Sequence, residues 1–269
     1  MRFLTSILVL LFAAAPLSAF AAEDLPRDLV GVDVDEHLGS SVPLDLLFTN
    51  TVGEQVRLAD YVNGDVPVIL TLNYFECPML CGLQLNAFVD TLKQVAWLPG
   101  DEFRIVTVSI NPDEGPSMSA PKREGYLDEL DREGAEWVFL TGDEANINAL
   151  ADAVGFEFNF IDETGEYAHP ALLTFLSPEG VVTRYLYGLA YEERDVRLAL
   201  FEAADGQIGT TVHRLILSCY VYDPERGSYV QDAMMFMRLG GALFVLALAG
   251  FLAFWWRRER APTPTPEMV

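Results

Sequence analysis

Two cysteines four positions apart carry the first chemistry in this chain. Cys77 and Cys81 lie in the stretch Leu70–Leu85, LTLNYFECPMLCGLQL, which starts as an apolar β-rich run and ends as the beginning of a helix. Pro78 suits the first helical position, where its missing N–H costs nothing. With Cys77 as the N-cap, Cys81 lies about one turn in, and the thiols share a side with Cα atoms about 6 Å apart. That spacing permits a disulfide. It equally permits two thiolates on one soft metal ion. Unpaired amides at a helix N-terminus favour the thiolate form, while Glu76 opposes it with a neighbouring negative charge. A structural disulfide is the plainer reading of the pair. An N-cap thiol beside proline, however, is placed for reactivity rather than for closing a loop.

The elements around the pair alternate between strand and helix. Val42–Phe48 and Val56–Leu58 read as short strands around Gly53, and Val66–Asn73 as a buried strand. Leu80–Trp97 has helical spacing and stops at Pro99-Gly100. Phe103–Ile110 is a second buried strand, followed by a loop from Asn111 to Pro121 and a helix over Lys122–Arg132. Trp137–Leu140 is a short strand, and Glu144–Val154 a helix with Gly155 as its stop. Phe156–Ile161 alternates and turns at Glu163-Thr164-Gly165. Ala171–Ser177 and Val181–Tyr187 form a hairpin across Pro178-Glu179-Gly180, and Tyr191–Ala204 is a last amphipathic helix. This order predicts an α/β sheet with helices on both faces. A cysteine pair on the turn from strand to first helix points to a thioredoxin-like fold. In that layout the loop Glu166–Pro170 approaches the cysteine turn, because functional groups collect at the carboxyl ends of parallel strands. The loop carries His169. Two thiols and an imidazole suit copper, the thiolates holding Cu(I) and the imidazole helping with Cu(II). The plainer reading of His169 is a partly buried loop histidine.

Charge and termini narrow the setting. The 269 residues carry 40 acidic against 17 basic groups, a formal charge of -23, and only Lys93 and Lys122 are lysines. Nucleic-acid binding needs a basic footprint and is excluded on this ground. Arg2, the apolar run Phe3–Ala15 and Ala19-Phe20-Ala21 fit a secretory signal over residues 1–21. An exported chain meets an oxidising compartment. Leu239–Trp256 is 18 residues without a charge, ending in Trp255 and Trp256 and followed by Arg257, Arg258 and Arg260. A transmembrane helix over 233–256 follows, with the tail 257–269 in the cytoplasm by the positive-inside rule. Residues 22–41 read as an extended arm, 42–204 as the thioredoxin-like domain and 205–232 as a strand-rich connector. In the connector, His213 and Cys219 are too far apart along one strand, about 20 Å, to share an ion. Cys219 reads as a buried, unpaired thiol packed as a small hydrophobe, with a third redox thiol or an intermolecular bridge as the alternatives. His37 reads as a surface histidine.

The chain from Val42 to Ala204 resembles the Sco/SenC family of membrane-anchored copper proteins. The resemblance rests on Cys77-Pro78-Met79-Leu80-Cys81 after a buried strand, SINPDE (Ser109–Glu114) after the second strand, and His169 eighty-eight residues beyond Cys81. It rests also on Tyr167–Gly188, similar to the family's histidine-containing strand and hairpin. It implies that Cys77, Cys81 and His169 bind copper, that the cysteine pair also cycles as a disulfide, and that the chain helps build the copper centre of cytochrome oxidase. The expected partners are a copper-accepting membrane protein, a cytochrome oxidase subunit, and a thiol reductant. The expected location is the cytoplasmic (inner) membrane, with the main domain on the periplasmic side. Gly82 stands where the family usually has Pro, Ala168 where Asp commonly precedes the histidine, and Asn111 where Asp is frequent. Family members are typically anchored at the N-terminus, not the C-terminus. Without metal transfer, the same pair makes a thiol–disulfide oxidoreductase in which Cys77 attacks and Cys81 resolves. A peroxidase is a third and weaker reading, for which the sequence displays no dedicated set of groups to hold a peroxide.

Overall fold

A computed structural model describes residues 32–77, 80–204, 220–223, 228–231 and 241–252. In chain order its elements are β1 (Leu47–Thr49), β2 (Gln55–Arg57), β3 (Val68–Asn73), α1 (Leu80–Leu92), β4 (Arg104–Ser109), α2 (Pro116–Leu130), β5 (Val138–Leu140), α3 (Glu144–Ala153), β6 (Asn159–Ile161), β7 (Glu166–Ala168), β8 (Leu172–Leu176), β9 (Val182–Tyr187), α4 (Glu193–Ala203), β10 (Tyr220–Asp223) and β11 (Ser228–Gln231). A further helix, α5, covers residues 241–252.

The central sheet has five strands in the order β5-β4-β3-β8-β9. β3, β4 and β5 are parallel, joined through helices, and β8 and β9 complete the sheet antiparallel as a hairpin. Side chains alternate across it. Val68, Leu70 and Leu72 of β3 and Val106 and Val108 of β4 face one apolar cluster, closed by Ile147 and Leu150 of α3 and by Phe48 and Leu58. Ile69 and Ile105 face the other, closed by Phe88 and Val89 of α1, Tyr126 of α2 and Val196 and Ala199 of α4. Both faces are covered, so β3 needs no polar side; it is mostly apolar, and its two polar residues, Thr71 and Asn73, are themselves buried. This is the thioredoxin-like α/β layout, with the carboxyl end of β3 feeding the thiol segment.

Two helices differ from the sequence expectation. α1 ends at Leu92, not Trp97, because the Arg132 guanidinium takes the carbonyls of Leu92, Val95 and Trp97 at 3.1, 2.8 and 3.0 Å and closes the chain end. A side chain from a distant turn thus satisfies groups that a longer helix would have used. α2 begins at Pro116, not Lys122. Pro116 occupies the start of the helix and Pro121 lies inside it, at the loss of one backbone donor. Two prolines so close together hide a helix from sequence reasoning. The loop expected at Glu166–Pro170 contains a short strand, β7, paired antiparallel with β6.

Residues 32–41 of the arm lie on the domain through isolated bridges, Val34 to Phe156 and Ser41 to Val181. The proposed signal at 1–21, His213 and Cys219 fall outside the described residues. Of the segment 233–256, residues 241–252 are described; they are helical and exposed, with Leu243, Phe244, Val245 and Leu246 each more than 60% exposed. Among the described residues, no helix is long and apolar enough to cross a membrane.

Candidate metal centre

Cys77 closes the short segment that follows β3, its N–H donating to Tyr74 O at 3.4 Å. Pro78 and Met79 lie outside the described residues. Cys81 sits in the first turn of α1 and is 3% exposed, whereas Cys77 is half-buried. The backbone N–H of Cys81 donates to Cys77 Sγ at 3.3 Å, so the first sulfur accepts an amide of the helix start. His169 follows β7 and is buried at 5% exposure. Its Nε2 lies 2.9 Å from Cys81 Sγ. The ligand atoms of Cys77, Cys81 and His169 all lie within 4.8 Å of one another. The fold therefore brings together all three residues singled out from the sequence.

The ring of His169 is held on both sides. Nδ1 lies 3.0 Å from the carbonyl of Pro170. A proton on Nδ1 donated to that carbonyl leaves the Nε2 lone pair facing Cys81, the arrangement that prepares an imidazole for a metal ion. Tyr74 meets the ring edge-on at 5.9 Å and Phe156 lies tilted against it at 6.0 Å.

The electrostatics at Cys81 differ from the sequence expectation. The Cys77 thiol beside it, then burial, push the Cys81 thiol above its ordinary value. The Tyr74 backbone amide and the Asn73 side chain pull the other way without prevailing. Proximity of a second sulfur and loss of water thus outweigh the helix N-terminus. Burial, then a hydrogen bond to Cys77, raises the Tyr74 phenol.

Sequence reasoning missed the polar pair beneath the thiols. Asn73 ends β3 and Gln84 lies one turn after Cys81, both fully buried. Asn73 Nδ2 donates to Gln84 Oε1 at 3.0 Å, and Gln84 Nε2 donates to Leu172 O at 2.8 Å. Cys81 and Gln84 therefore reach the same stretch of chain, one touching His169 and the other Leu172. Their only signal in the sequence is two polar residues inside apolar runs. Gln84→Leu removes the hydrogen bond that Gln84 accepts from the Asn73 amide and the one it donates to the Leu172 carbonyl. The expected cost is about 2 kcal/mol, measured as a fall of about 4–8 °C in Tm; an unchanged Tm would show that the relay holds nothing.

Beside the thiol segment, a cavity of about 400 Å³ is lined by Phe75 and Glu76 and by Ser117, Met118, Pro121 and Lys122 of α2.

The family model described as SCO1/SenC matches residues 38–199. Among solved structures, a provisional electron transfer protein from Aquifex aeolicus VF5 is similar at 24% identity and a TM-score of 0.56, over 63% of this chain and 96% of that one. A provisional electron transport protein from the same organism is similar at 24% identity and a TM-score of 0.51, over 62% of this chain and 99% of that one. Arabidopsis thaliana ScoI with copper bound aligns at 16% identity and a TM-score of 0.45, over 58% and 90% of the two chains. No curated protein matches the chain. The likeness to the two A. aeolicus proteins bears on the fold alone.

Proposed function

Because the chain belongs to the SCO1/SenC family, whose model spans residues 38–199, we propose that it carries copper for the assembly of a respiratory oxidase, on Cys77, Cys81 and His169. One observation carries the reading: two sulfurs and one imidazole nitrogen, from segments far apart in sequence, converge within 4.8 Å. Two soft sulfurs and an imidazole suit copper in either of its common oxidation states. Copper is the cargo here, and the chain's own groups do the holding. The Pro170 carbonyl orients the His169 ring through Nδ1. Tyr74 and Phe156 shield that ring from water. Cys81 gives up its proton as the ion binds. Cys77, half-buried, is the sulfur at which an acceptor's ligands would begin to displace it.

The reading places the domain of residues 42–204 outside the cytoplasmic membrane. A secretory signal at 1–21 and a C-terminal anchor over 233–256 support this. The uncharged run Leu239–Trp256, followed by three arginines, is what such an anchor needs. Tethering raises the effective concentration of membrane-embedded acceptors, of which an oxidase copper subunit is the one proposed.

A second reading rests on the contrast between the cysteines, one half-buried and one buried, with an amide-to-sulfur hydrogen bond of 3.3 Å between them. As a thiol–disulfide oxidoreductase, the Cys77 thiolate attacks a partner disulfide, forms a mixed disulfide and releases one partner thiolate. Cys81, deprotonated, then attacks the Cys77 sulfur, forms the Cys77–Cys81 disulfide and releases the second. Two electrons pass to the partner and two protons leave the pair.

Titration of the reduced full-length chain in detergent with Cu(I), against a chromophoric chelator, separates the two. The expected result is one tight equivalent, with affinity lowered on the order of 10–100-fold in His169→Ala. Unchanged affinity in His169→Ala, together with fast disulfide turnover, would leave the oxidoreductase reading standing alone.

A further inference from the structure

Glu114 is a carboxylate buried to 5% exposure, and it appears in none of the ion pairs among the described residues. A buried charge without a cation must be held by hydrogen bonds, and these are short. The N–H of Phe75 donates to both carboxylate oxygens at 2.7 and 2.8 Å, the N–H of Glu76 donates at 2.8 Å, and the Ser109 hydroxyl donates at 2.6 Å. The two backbone donors belong to the residues directly before Cys77, past the end of β3, where no strand neighbour is left to take them.

The turn that presents Glu114 is itself braced. Ile110 N–H donates to Asn73 O at 2.8 Å, tying the turn to the end of β3. Asn111 N–H donates to Ser109 Oγ at 3.1 Å, Asp113 N–H to Asn111 Oδ1 at 3.0 Å and Glu114 N–H to Asn111 O at 3.2 Å. A rigid turn on β4 thus grips the segment that carries Cys77. We propose that Glu114 is a positioning residue that fixes the backbone before Cys77, so that its sulfur stays within reach of Cys81 and His169. The proposal rests on the copper reading for its main readout, and it deepens that reading by adding a residue that touches no metal.

Glu114→Ala and Glu114→Gln test it in the full chain. Glutamine keeps one oxygen for the Phe75 and Glu76 amides, and its amide can donate to Ser109 Oγ, whose hydroxyl then accepts. Alanine keeps nothing. The expected result, at a temperature where both variants are folded, is Cu(I) affinity lowered about 10–100-fold in Glu114→Ala, as for other groups that orient ligands. The thiolate-to-copper absorption of the Cu(II) form should change with it, and Glu114→Gln should restore both. Asp113→Ala, which removes an exposed charge from the same turn, should change neither. A Glu114→Ala chain that melts earlier but binds copper with unchanged affinity and spectrum would overturn the proposal and leave Glu114 a structural residue only. Should the unaltered chain bind no copper, the copper reading fails by itself. The proposal is then read from the Cys77–Cys81 disulfide in glutathione buffers, by mass spectrometry of the pair. Glu114→Ala should lower its formation constant about tenfold, roughly 30 mV for a two-electron couple, and an unchanged constant would overturn it.

Discussion

On the copper reading, Cys81→Ala is expected to abolish tight copper binding, with Cu(I) affinity falling more than about 100-fold, beyond what loss of an orienting partner costs. The argument is geometric. Cys81 Sγ lies 2.9 Å from His169 Nε2 and is hydrogen-bonded to the Cys77 side chain, so it touches both of the other candidate ligands. Without it an ion has one half-buried sulfur and one imidazole, and no third Cys, His, Asp or Glu joins them among the described residues. Folding is affected far less. Removal of one sulfur from the apolar cluster around Leu72, Tyr74 and Phe156 costs about 1 kcal/mol of burial, so the variant stays folded and the loss is one of ligation. Competition with a chromophoric Cu(I) chelator on the reduced chain measures it. Retention of affinity within a few-fold would remove Cys81 from the ligand set and with it the carrier reading.

The three ligand candidates were legible because their chemistry is written in residue types. Two cysteines at helical spacing after an apolar strand can be placed without coordinates, and a histidine before the late hairpin can be brought near them by topology alone. Glu114, Asn73 and Gln84 were not legible as parts of the site. Glu114 stands in an acidic chain where a carboxylate carries no information until its donors, the Phe75 and Glu76 amides, are known. Gln84 differs from any polar residue on a helix only in facing Asn73 and Leu172.

The fold divides in the same way. β3 and β4 follow from mostly apolar, β-branched runs with both faces covered. The end of α1 does not, because the group that closes it, Arg132, comes from beyond α2. The thiolate expected at the helix start rests on backbone amides set against the charge of Glu76. At Cys81 the neighbouring sulfur and burial decide the direction, and both depend on packing that a sequence does not display.

Gly155→Ala lowers stability by about 3–4 kcal/mol and Tm by about 10 °C, the largest expected effect of any substitution outside the ligands. Gly155 follows α3 at φ +61°, and a Cβ there would collide with the Asp35 carbonyl oxygen. The chain cannot yield locally, because Asp35 N–H donates to Gly155 O at 2.9 Å and Glu157 N–H to Asp33 O at 3.0 Å. Alanine therefore brings a left-handed conformation costing about 1–2 kcal/mol and pushes the arm off its seat, at about 1 kcal/mol for each hydrogen bond lost. Gly155→Asn separates these costs. Asparagine tolerates the left-handed region but carries the same Cβ, so a clash that dominates leaves it as unstable as alanine. Full recovery in Gly155→Asn would mean that φ, not the arm, sets the requirement for glycine. The arm also reaches the metal centre at one remove, since Val34 bridges to Phe156 and Phe156 packs against the His169 ring at 6.0 Å. Displacing it loosens one wall of the imidazole while both sulfurs stay in place. Copper affinity of the folded Gly155→Ala chain should accordingly fall far less than in Cys81→Ala, and a fall as large would mean that the arm, rather than the Pro170 carbonyl, holds the ring.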